Sequence, residues 1–400
     1  MSIGSEVRKT YQKYPYPSPT GRLPRQPLSR IPPMEWINAV AQRPDALPKR
    51  ILVAGCGTGN EAFALCDRFP QADIVGFDFS PLAIAIARRA QRRVPRFRRI
   101  HFLVGDLTKR SCLAQAGPTF EFISCHGVVS YLEKPAQVLR NLTRHLSPGG
   151  ALYLGVNGAA HLSATWRSVL PEFGIRTTAL PRGKGFRDFL ELCELLTGFP
   201  LNAISGKDDA YLASDLFGPL ICNRSLAAWV SIANKAGLHF RSNHIVQRHL
   251  WPAINHGGIE LLRPRTRGEV AGIIDRLNPG GFHQLVFTRE AEGAAPWDNL
   301  RDLLSWRPLL APHLAKQRWP RVACSNVAMQ GLTLKTPATN TRIDLKIPEW
   351  EVEILRRAQG KLSLRCILGP KFAPSSLSRR LYVLYQLNLL NLLPPLRSAD

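Results

Sequence analysis

The chain has no apolar run approaching the length of a membrane span, and its first residues, from Met1 to Arg8, hold no apolar core of a signal peptide. It has no C-x-x-C pair either. Its eight cysteines, at positions 56, 66, 112, 125, 193, 222, 324 and 366, are scattered, and no histidines stand at zinc spacing beside them. These absences argue against a membrane-spanning protein, a disulfide-stapled scaffold and a zinc module. They predict a cytoplasmic protein in a reducing setting with no bound metal. Acidic residues are also scarce, 29 against 53 Lys and Arg, which leaves a net charge of +24. Such a surface attracts anions. Its densest cluster is Arg88, Arg89, Arg92, Arg93, Arg96, Arg98 and Arg99, either a groove for nucleic acid or a solvated helix face. Aromatics do not alternate with these arginines, Phe97 excepted, as a single-strand binder prefers. No internal repeats are evident.

At 400 residues the chain exceeds one compact core, so two or three domains are expected. Residues 1–50 are rich in proline and basic groups and carry Tyr11, Tyr14 and Tyr16. X-Pro pairs favour extended backbone, so this segment reads as an arm draped over a neighbouring domain. Its tyrosines either cover a pocket or staple the arm down.

From Ile51 the pattern becomes strand, glycine-rich loop and helix. Ile51, Leu52 and Val53 lead into Gly55, Cys56, Gly57, Thr58 and Gly59, and a helical pattern follows from Asn60. A dinucleotide fingerprint needs G-x-G-x-x-G. Here the spacing is G-x-G-x-G, and Asn60 stands where that fingerprint wants its third glycine. Further strands are expected at Ala72–Phe77, Ile100–Val104, Glu121–Cys125 and Ala151–Val156, with helices between them starting at Ser80-Pro81 and running from Pro135 to His145. Residues 158–224 read as a helical insertion containing Phe186–Leu196. A helix at Leu226–Ala236 and strands near Leu238–Arg241 and His283–Arg289 would complete the sheet. Beyond a linker at Glu290–Pro296, strand-like Val322–Thr336 and Arg342–Ile347 precede helices at Pro348–Ala358, Leu362–Leu368 and Ser376–Leu393.

Strands alternating with helices imply an α/β doubly wound, Rossmann-like parallel sheet. The expected organisation is an arm over 1–50, a nucleotide-type domain over 51–290 with its insertion at about 158–224, and a small winged-helix-like α+β domain over 297–400. Within the middle domain the second strand ends near Asp78-Phe79 and the third runs to Gly105-Asp106-Leu107. An acid at the tip of the second strand can accept both hydrogen bonds of a ribose diol. An acid at the next tip can accept from an exocyclic adenine amine while the backbone at Leu107 contacts the ring. Each aspartate alone is equally a solvated turn or helix cap. In register with the glycine loop they form a constellation.

Gly55 to Gly59, Asp78, Gly105-Asp106 and the Leu146 to Gly150 turn resemble the ordered motifs of class I S-adenosylmethionine-dependent methyltransferases. The resemblance is strong over residues 50–157 and looser over 226–289. It implies a seven-stranded methyltransferase sheet, S-adenosyl-L-methionine as cofactor, and cofactor contacts from Gly55, Cys56, Gly57, Gly59, Asp78, Phe79, Asp106 and Leu107. Ala54 stands where many members carry an acid. The stretch His126-Gly-Val-Val-Ser-Tyr131 is similar to one found in bacterial outer-membrane-protein lysine methyltransferases and their relatives, which have Trp where this chain has Tyr131. Those proteins also have a Tyr-Pro arm, a helical insertion and a winged-helix-like C-terminal domain. Asp215-Leu-Phe, Arg224-Ser225, Ala236 to Phe240, Pro348 to Leu355 and Gly360 to Ser363 resemble further segments of that group.

Methyl transfer from a sulfonium is an in-line displacement, so positioning carries much of the catalysis. A base is needed only where the acceptor arrives protonated. No Asn-Pro-Pro-Tyr motif follows the fourth strand, which argues against amide or adenine N-methylation of that type. His126 and Tyr131 are the catalytic candidates, and Ser130 and Asn157 the further acceptor-side candidates. His126 is either a base or a turn cap, and Tyr131 either orients an acceptor or walls the pocket. The expected acceptor is a protein side chain or a small molecule. An RNA methyltransferase and a non-catalytic cofactor-binding protein are the alternatives, and a homodimer is compatible with the sequence.

Overall fold

A computed structural model describes residues 3–18, 47–175, 184–198, 208–243, 257–263, 265–291, 295–310, 314, 318–322, 328–335, 342–387 and 389–396. They group into two compact units, one of 3–18, 48–238 and 278–283, the other of 239–277 and 284–396.

The first unit is built on parallel strands: β1 (Arg50–Ala54), β2 (Asp73–Asp78), β3 (Ile100–Val104), β4 (Phe120–His126) and β5 (Leu146–Asn157). The strand order of the sheet is β3-β2-β1-β4-β5-β7-β6, where β6 is His239–Asn243 and β7 is Phe282–Thr288. Ile51 to Ala54 are fully buried, as expected of a strand covered on both faces, and this is why β1 reads as an unbroken apolar run. Registers such as Ala54↔Phe77, Asp78↔Val104 and Val53↔Ser124 bring the carboxyl ends of β1 to β4 to one edge. Strand order reverses between β1 and β4, and ligand sites in open α/β sheets lie beside such a switch point.

The helices of this unit are α1 (Ile3–Lys13), α2 (Asn60–Arg68), α3 (Pro81–Arg92), α4 (Arg110–Ala114), α5 (Pro135–Arg144), α6 (Leu162–Val169), α7 (Lys184–Thr197) and α8 (Leu226–Asn234). Ser80 caps α3 by accepting from the Ala83 amide at 3.2 Å, with Pro81 in its first turn. Two boundaries differ from expectation. β4 begins at Phe120, and β5 begins at Leu146, because the Ser-Pro-Gly-Gly segment is drawn into the strand and Phe120 registers with Leu146. In the insertion Trp166, Leu170, Phe186, Phe189, Leu190, Leu212, Leu216 and Phe217 form a satellite core of their own. Helix α7 reaches Lys184–Thr197 because its Phe186, Phe189 and Leu190 supply one face of that cluster.

In the second unit β6 pairs antiparallel with β7. Helix α9 (Arg267–Leu277), the short α10 (Leu300–Leu303), β8 (Arg307–Leu310), β9 (Met329–Lys335), β10 (Arg342–Pro348), α11 (Glu349–Arg357), α12 (Leu364–Leu368), α13 (Leu377–Gln386) and β11 (Leu390–Leu393) follow. β9 and β10 form one antiparallel pair, β8 and β11 another. The single helix expected over Ser376–Leu393 is corrected. It ends at Gln386, and Leu390–Leu393 pairs as a strand with Arg307–Leu310. The strand-like segment expected from Val322 is observed from Met329, and its residues 323–327 lie outside the described residues.

Candidate active site

The loop after β1 is a backbone solution to a tight turn. Gly55, Gly57 and Gly59 all hold positive φ, at 77°, 52° and 92°, a region side chains rarely enter. A Cβ on Gly55 would lie 2.2 Å from a methyl of Val128, and one on Gly57 2.1 Å from the carbonyl oxygen of Tyr16. The Gly55 and Cys56 amides donate to the carbonyl of Phe77 at 2.7 and 3.1 Å, which fixes the loop against the end of β2.

Asp78 closes that junction. Its carboxylate accepts from the Gly57 amide at 2.9 Å and from the Ser80 amide at 2.8 Å. Burial pushes its pKa up, and these two N–H groups hold it partly back. Phe79 is half-buried beside it. Asp106 lies past the end of β3, accepting on one oxygen from the Thr108 amide at 2.9 Å and hydroxyl at 2.6 Å. Its other oxygen meets the guanidinium of Arg8 at 2.5 Å. Burial pushes Asp106 up, but the Thr108 bonds and the charges of Arg8 and Lys109 outweigh it, so the carboxyl sits below its ordinary pKa. Leu107 is buried, and its carbonyl accepts from Asn141 of α5 at 2.9 Å.

On the other side of the switch point, Ser130, Tyr131 and Asn157 come together. The Asn157 amide donates to the Ser130 hydroxyl at 2.8 Å, and the Tyr131 hydroxyl lies 3.4 Å from Asn157 Oδ1. Trp229 of α8 donates its indole N–H to the Asn157 carbonyl at 2.8 Å. Tyr131 also donates to Asp215 at 3.0 Å. His126 is placed elsewhere. Its Nδ1 is 2.7 Å from the Tyr153 hydroxyl, and its ring packs on Tyr153 and on Phe282.

Four residues at this edge carried no spacing signal. Arg8, Tyr11 and Tyr16 come from the N-terminal arm and Asp215 from the insertion. The arm is stitched to the glycine loop: the Thr58 amide donates to the Tyr16 carbonyl at 3.3 Å and the Thr58 hydroxyl to the Pro17 carbonyl at 2.9 Å. Tyr11 meets Phe79 edge-on at 5.8 Å, and Arg8 lies 5.8 Å from the same ring centroid. The signals in the sequence were the density of tyrosines before residue 18 and the resemblance carried by Asp215-Leu-Phe.

The arginine cluster is partly engaged within the fold. Arg88 donates to the Phe102 carbonyl at 2.6 Å, Arg96 pairs with Asp67 at 2.5 Å, and Arg99 donates to the carbonyls of Cys66 and Phe69 at 2.7 and 3.0 Å. A depression of about 400 Å³ lined by Arg88, Gln91, Arg92, Arg98 and His101 borders β3 and includes no residue of the loop site. Among the described residues no group of three His, Cys, Asp or Glu is placed to hold a metal, and no helix is long and apolar enough to cross a membrane.

Residues 52–152 match a family profile described as a methyltransferase domain. A trans-aconitate 2-methyltransferase of Methylobacterium nodulans is 34% identical over 113 residues, 28% of this chain and 40% of that protein. A malonyl-[acyl-carrier protein] O-methyltransferase of Bacillus anthracis is 33% identical over 109 residues, 27% of this chain and 38% of that one. An uncharacterized protein of Synechococcus is 32% identical over 158 residues, 39% of this chain and 37% of that protein. The chain thus spans 37–40% of the length of these relatives. Among solved structures, PKMT2 of Rickettsia typhi, solved in complex with AdoHcy, has the same fold with a TM-score of 0.57 at 14% identity, covering 93% of this chain and 77% of that one. The glycine loop and the two aspartates on successive strand ends thus belong to a methyltransferase domain over residues 52–152, set in a seven-stranded sheet whose fold PKMT2 shares.

Proposed function

We propose that this chain transfers a methyl group from S-adenosylmethionine to an acceptor that enters beyond β4 and β5, a protein side chain or a small molecule. One observation carries the reading: two carboxylates, Asp78 next to the half-buried Phe79 and Asp106 past the end of β3, stand at successive strand ends in line with a glycine loop that has three positive φ angles.

The donor set suits this cofactor. Asp78 is a carboxylate at a strand tip, suited to a ribose diol. Phe79 offers a ring face to adenine, and Asp106 an acceptor for an exocyclic amine. Gly55, Cys56, Gly57 and Gly59 present backbone without side-chain bulk to the methionine portion. Leu107, buried next in sequence to Asp106, is assigned to the adenine side of the site. When bound, S-adenosylmethionine supplies an electrophilic methyl group on a sulfonium. The chain's own part is then to hold, orient and exclude water. Tyr131 and Asn157, hydrogen-bonded to one another and fixed through Ser130 and Trp229, form the acceptor-side wall. The Tyr131 phenol is pushed well above its ordinary pKa by burial, and further by Asp215 and Tyr11, so it stays neutral and donates. We assign His126 to holding the end of β4 through Tyr153, with Tyr131 as the polar group nearer the acceptor.

The test is equilibrium binding. Titration calorimetry with S-adenosylmethionine should give a saturable heat for the full chain, and Asp78→Ala should remove it. Unchanged affinity in that variant refutes the assignment of Asp78. A chain that binds no cofactor at all refutes the function.

A further inference from the structure

Asp215 sits where three stretches of sequence meet. It lies on a turn, Leu212–Leu216, that opens from a short helix into the wider π geometry, a distortion often found at functional sites. Its carboxylate accepts from Tyr131, after β4, at 3.0 Å and from Tyr16, in the N-terminal arm, at 3.4 Å. Tyr16 in turn touches the glycine loop, since its carbonyl accepts from the Thr58 amide. Asp215 is thus one phenol away from the cofactor loop and one phenol away from Asn157. Tyr11, on the arm, meets Phe79 edge-on at 5.8 Å. Burial raises its pKa most, followed by the negative charges of Asp215 and then Asp78, so its phenol lies within the field of both carboxylates.

We propose that Asp215, framed by the phenols of Tyr16 and Tyr131, receives the methyl acceptor, and that the acceptor's nucleophile is an N–H or O–H group and not a carboxylate. This rests on the methyltransferase reading above. An ionised carboxylate only accepts hydrogen bonds. Beside it a carboxylate nucleophile meets a like charge, whereas an amine or hydroxyl finds a partner for its hydrogen. Asp215 takes the proton released when the acceptor's lone pair forms its bond to the methyl carbon. The carbon–sulfur bond of the donor breaks in the same step, and its electron pair stays on sulfur as a neutral thioether. Charge and atoms balance with no further reactant.

The experiment uses the full chain with carbon-13-labelled tyrosine rings, assigned by Tyr11→Phe, Tyr16→Phe and Tyr131→Phe. Propylamine, p-cresol and propionate are titrated in near neutral pH. Propylamine and p-cresol should shift the Tyr16 and Tyr131 ring signals and propionate should not. Asp215→Asn, which preserves the shape, should weaken the propylamine response about tenfold, the loss expected for a hydrogen bond to a charged group. Asp215→Glu should recover part of it. Equal shifts with propionate, no response to either hydrogen donor, or an unaltered response in Asp215→Asn overturns the proposal. Calorimetry with S-adenosylmethionine on the same Asp215→Asn sample should match the wild type and shows that the fold is intact. Absence of cofactor binding in the wild type would defeat the methyltransferase reading instead, and that result is read separately from the ring shifts.

Discussion

Replacing Glu61 by Gln should stabilise the protein in alkaline solution and leave it unchanged in acid. Glu61 lies in the first turn of α2, and its carboxyl is bonded to the hydroxyl of Ser124 on β4. An anion at a helix N-terminus is normally favoured, yet burial dominates here and pushes the group up to about 7, with the Ser124 bond acting in the opposite direction. The folded protein therefore keeps a proton that the unfolded chain releases near its ordinary value of about 4.3. Stability falls with pH wherever the folded state binds more protons. The contribution is thus fully present in acid below the unfolded value and is lost as pH rises through about 7. The difference between the two pKa values corresponds to about 4 kcal/mol, an order-of-magnitude figure. Urea midpoints of wild type and Glu61→Gln should coincide below about pH 4, separate progressively in favour of the variant as pH rises, and stay separated above about pH 7, because Gln keeps the shape without the charge. Taking the difference between the two proteins cancels the pH dependence that the basic surface imposes on both. Parallel midpoints across the whole range would show that Glu61 is not held protonated.

Gly57→Ala should detach the arm from the loop, since its Cβ would lie 2.1 Å from the Tyr16 carbonyl at a φ of +52°. The variant should lose cofactor affinity in calorimetry and expose the arm to limited proteolysis before residue 18, and wild-type behaviour in both would contradict the close approach. In the second unit, Arg267→Lys should cost roughly 2–4 kcal/mol in urea unfolding, because one ammonium cannot replace a planar fork. That fork serves the Tyr385 carbonyl and Asn391 Oδ1, both at 2.8 Å, and lies 3.8 Å from the Tyr385 ring centroid. A loss below about 0.5 kcal/mol, the level of ordinary surface changes, would mean that lysine satisfies the site.

The order of strands was legible because an inner strand of the parallel sheet is buried on both faces and reads as a short apolar run between glycine or proline signals. Ile51–Ala54 is such a case, whereas the edge strand Ile100–Val104 exposes His101 and Val104 and is read from its apolar content alone. The misreadings have local causes. Ser147 to Gly150 looks like a turn and is an irregularity in the ladder, and it falls within β5 because Leu146 before it and Ala151 after it both pair with β4. The Leu-rich end of the chain has helical periodicity throughout, but helix α13 stops at Gln386 and Leu390–Leu393 pairs with Arg307–Leu310. That partner lies eighty residues upstream, and no periodicity in a single segment reports it.

The same distinction separates the two halves of the site. The glycine loop and the two acids of the proposed cofactor half could be read as neighbours because consecutive strands of a parallel sheet end at one edge, so residues at the ends of β1, β2 and β3 converge by topology alone. The acceptor half is assembled from parts with no such constraint. Tyr16 and Asp215 are 199 positions apart and Tyr131 and Asp215 are 84 apart, yet each pair is hydrogen-bonded. Phenols and a carboxylate of this kind have no characteristic spacing, since an arm and an insertion can bring them in from anywhere in the chain. Chemistry shared across a family is therefore written in the strand ends, where the fold dictates position. On the proposal that Asp215 receives the acceptor, acceptor choice rests with Tyr16, Tyr131 and Asp215, and exchanging the Leu212–Leu216 turn between relatives should alter the acceptor while leaving cofactor affinity intact.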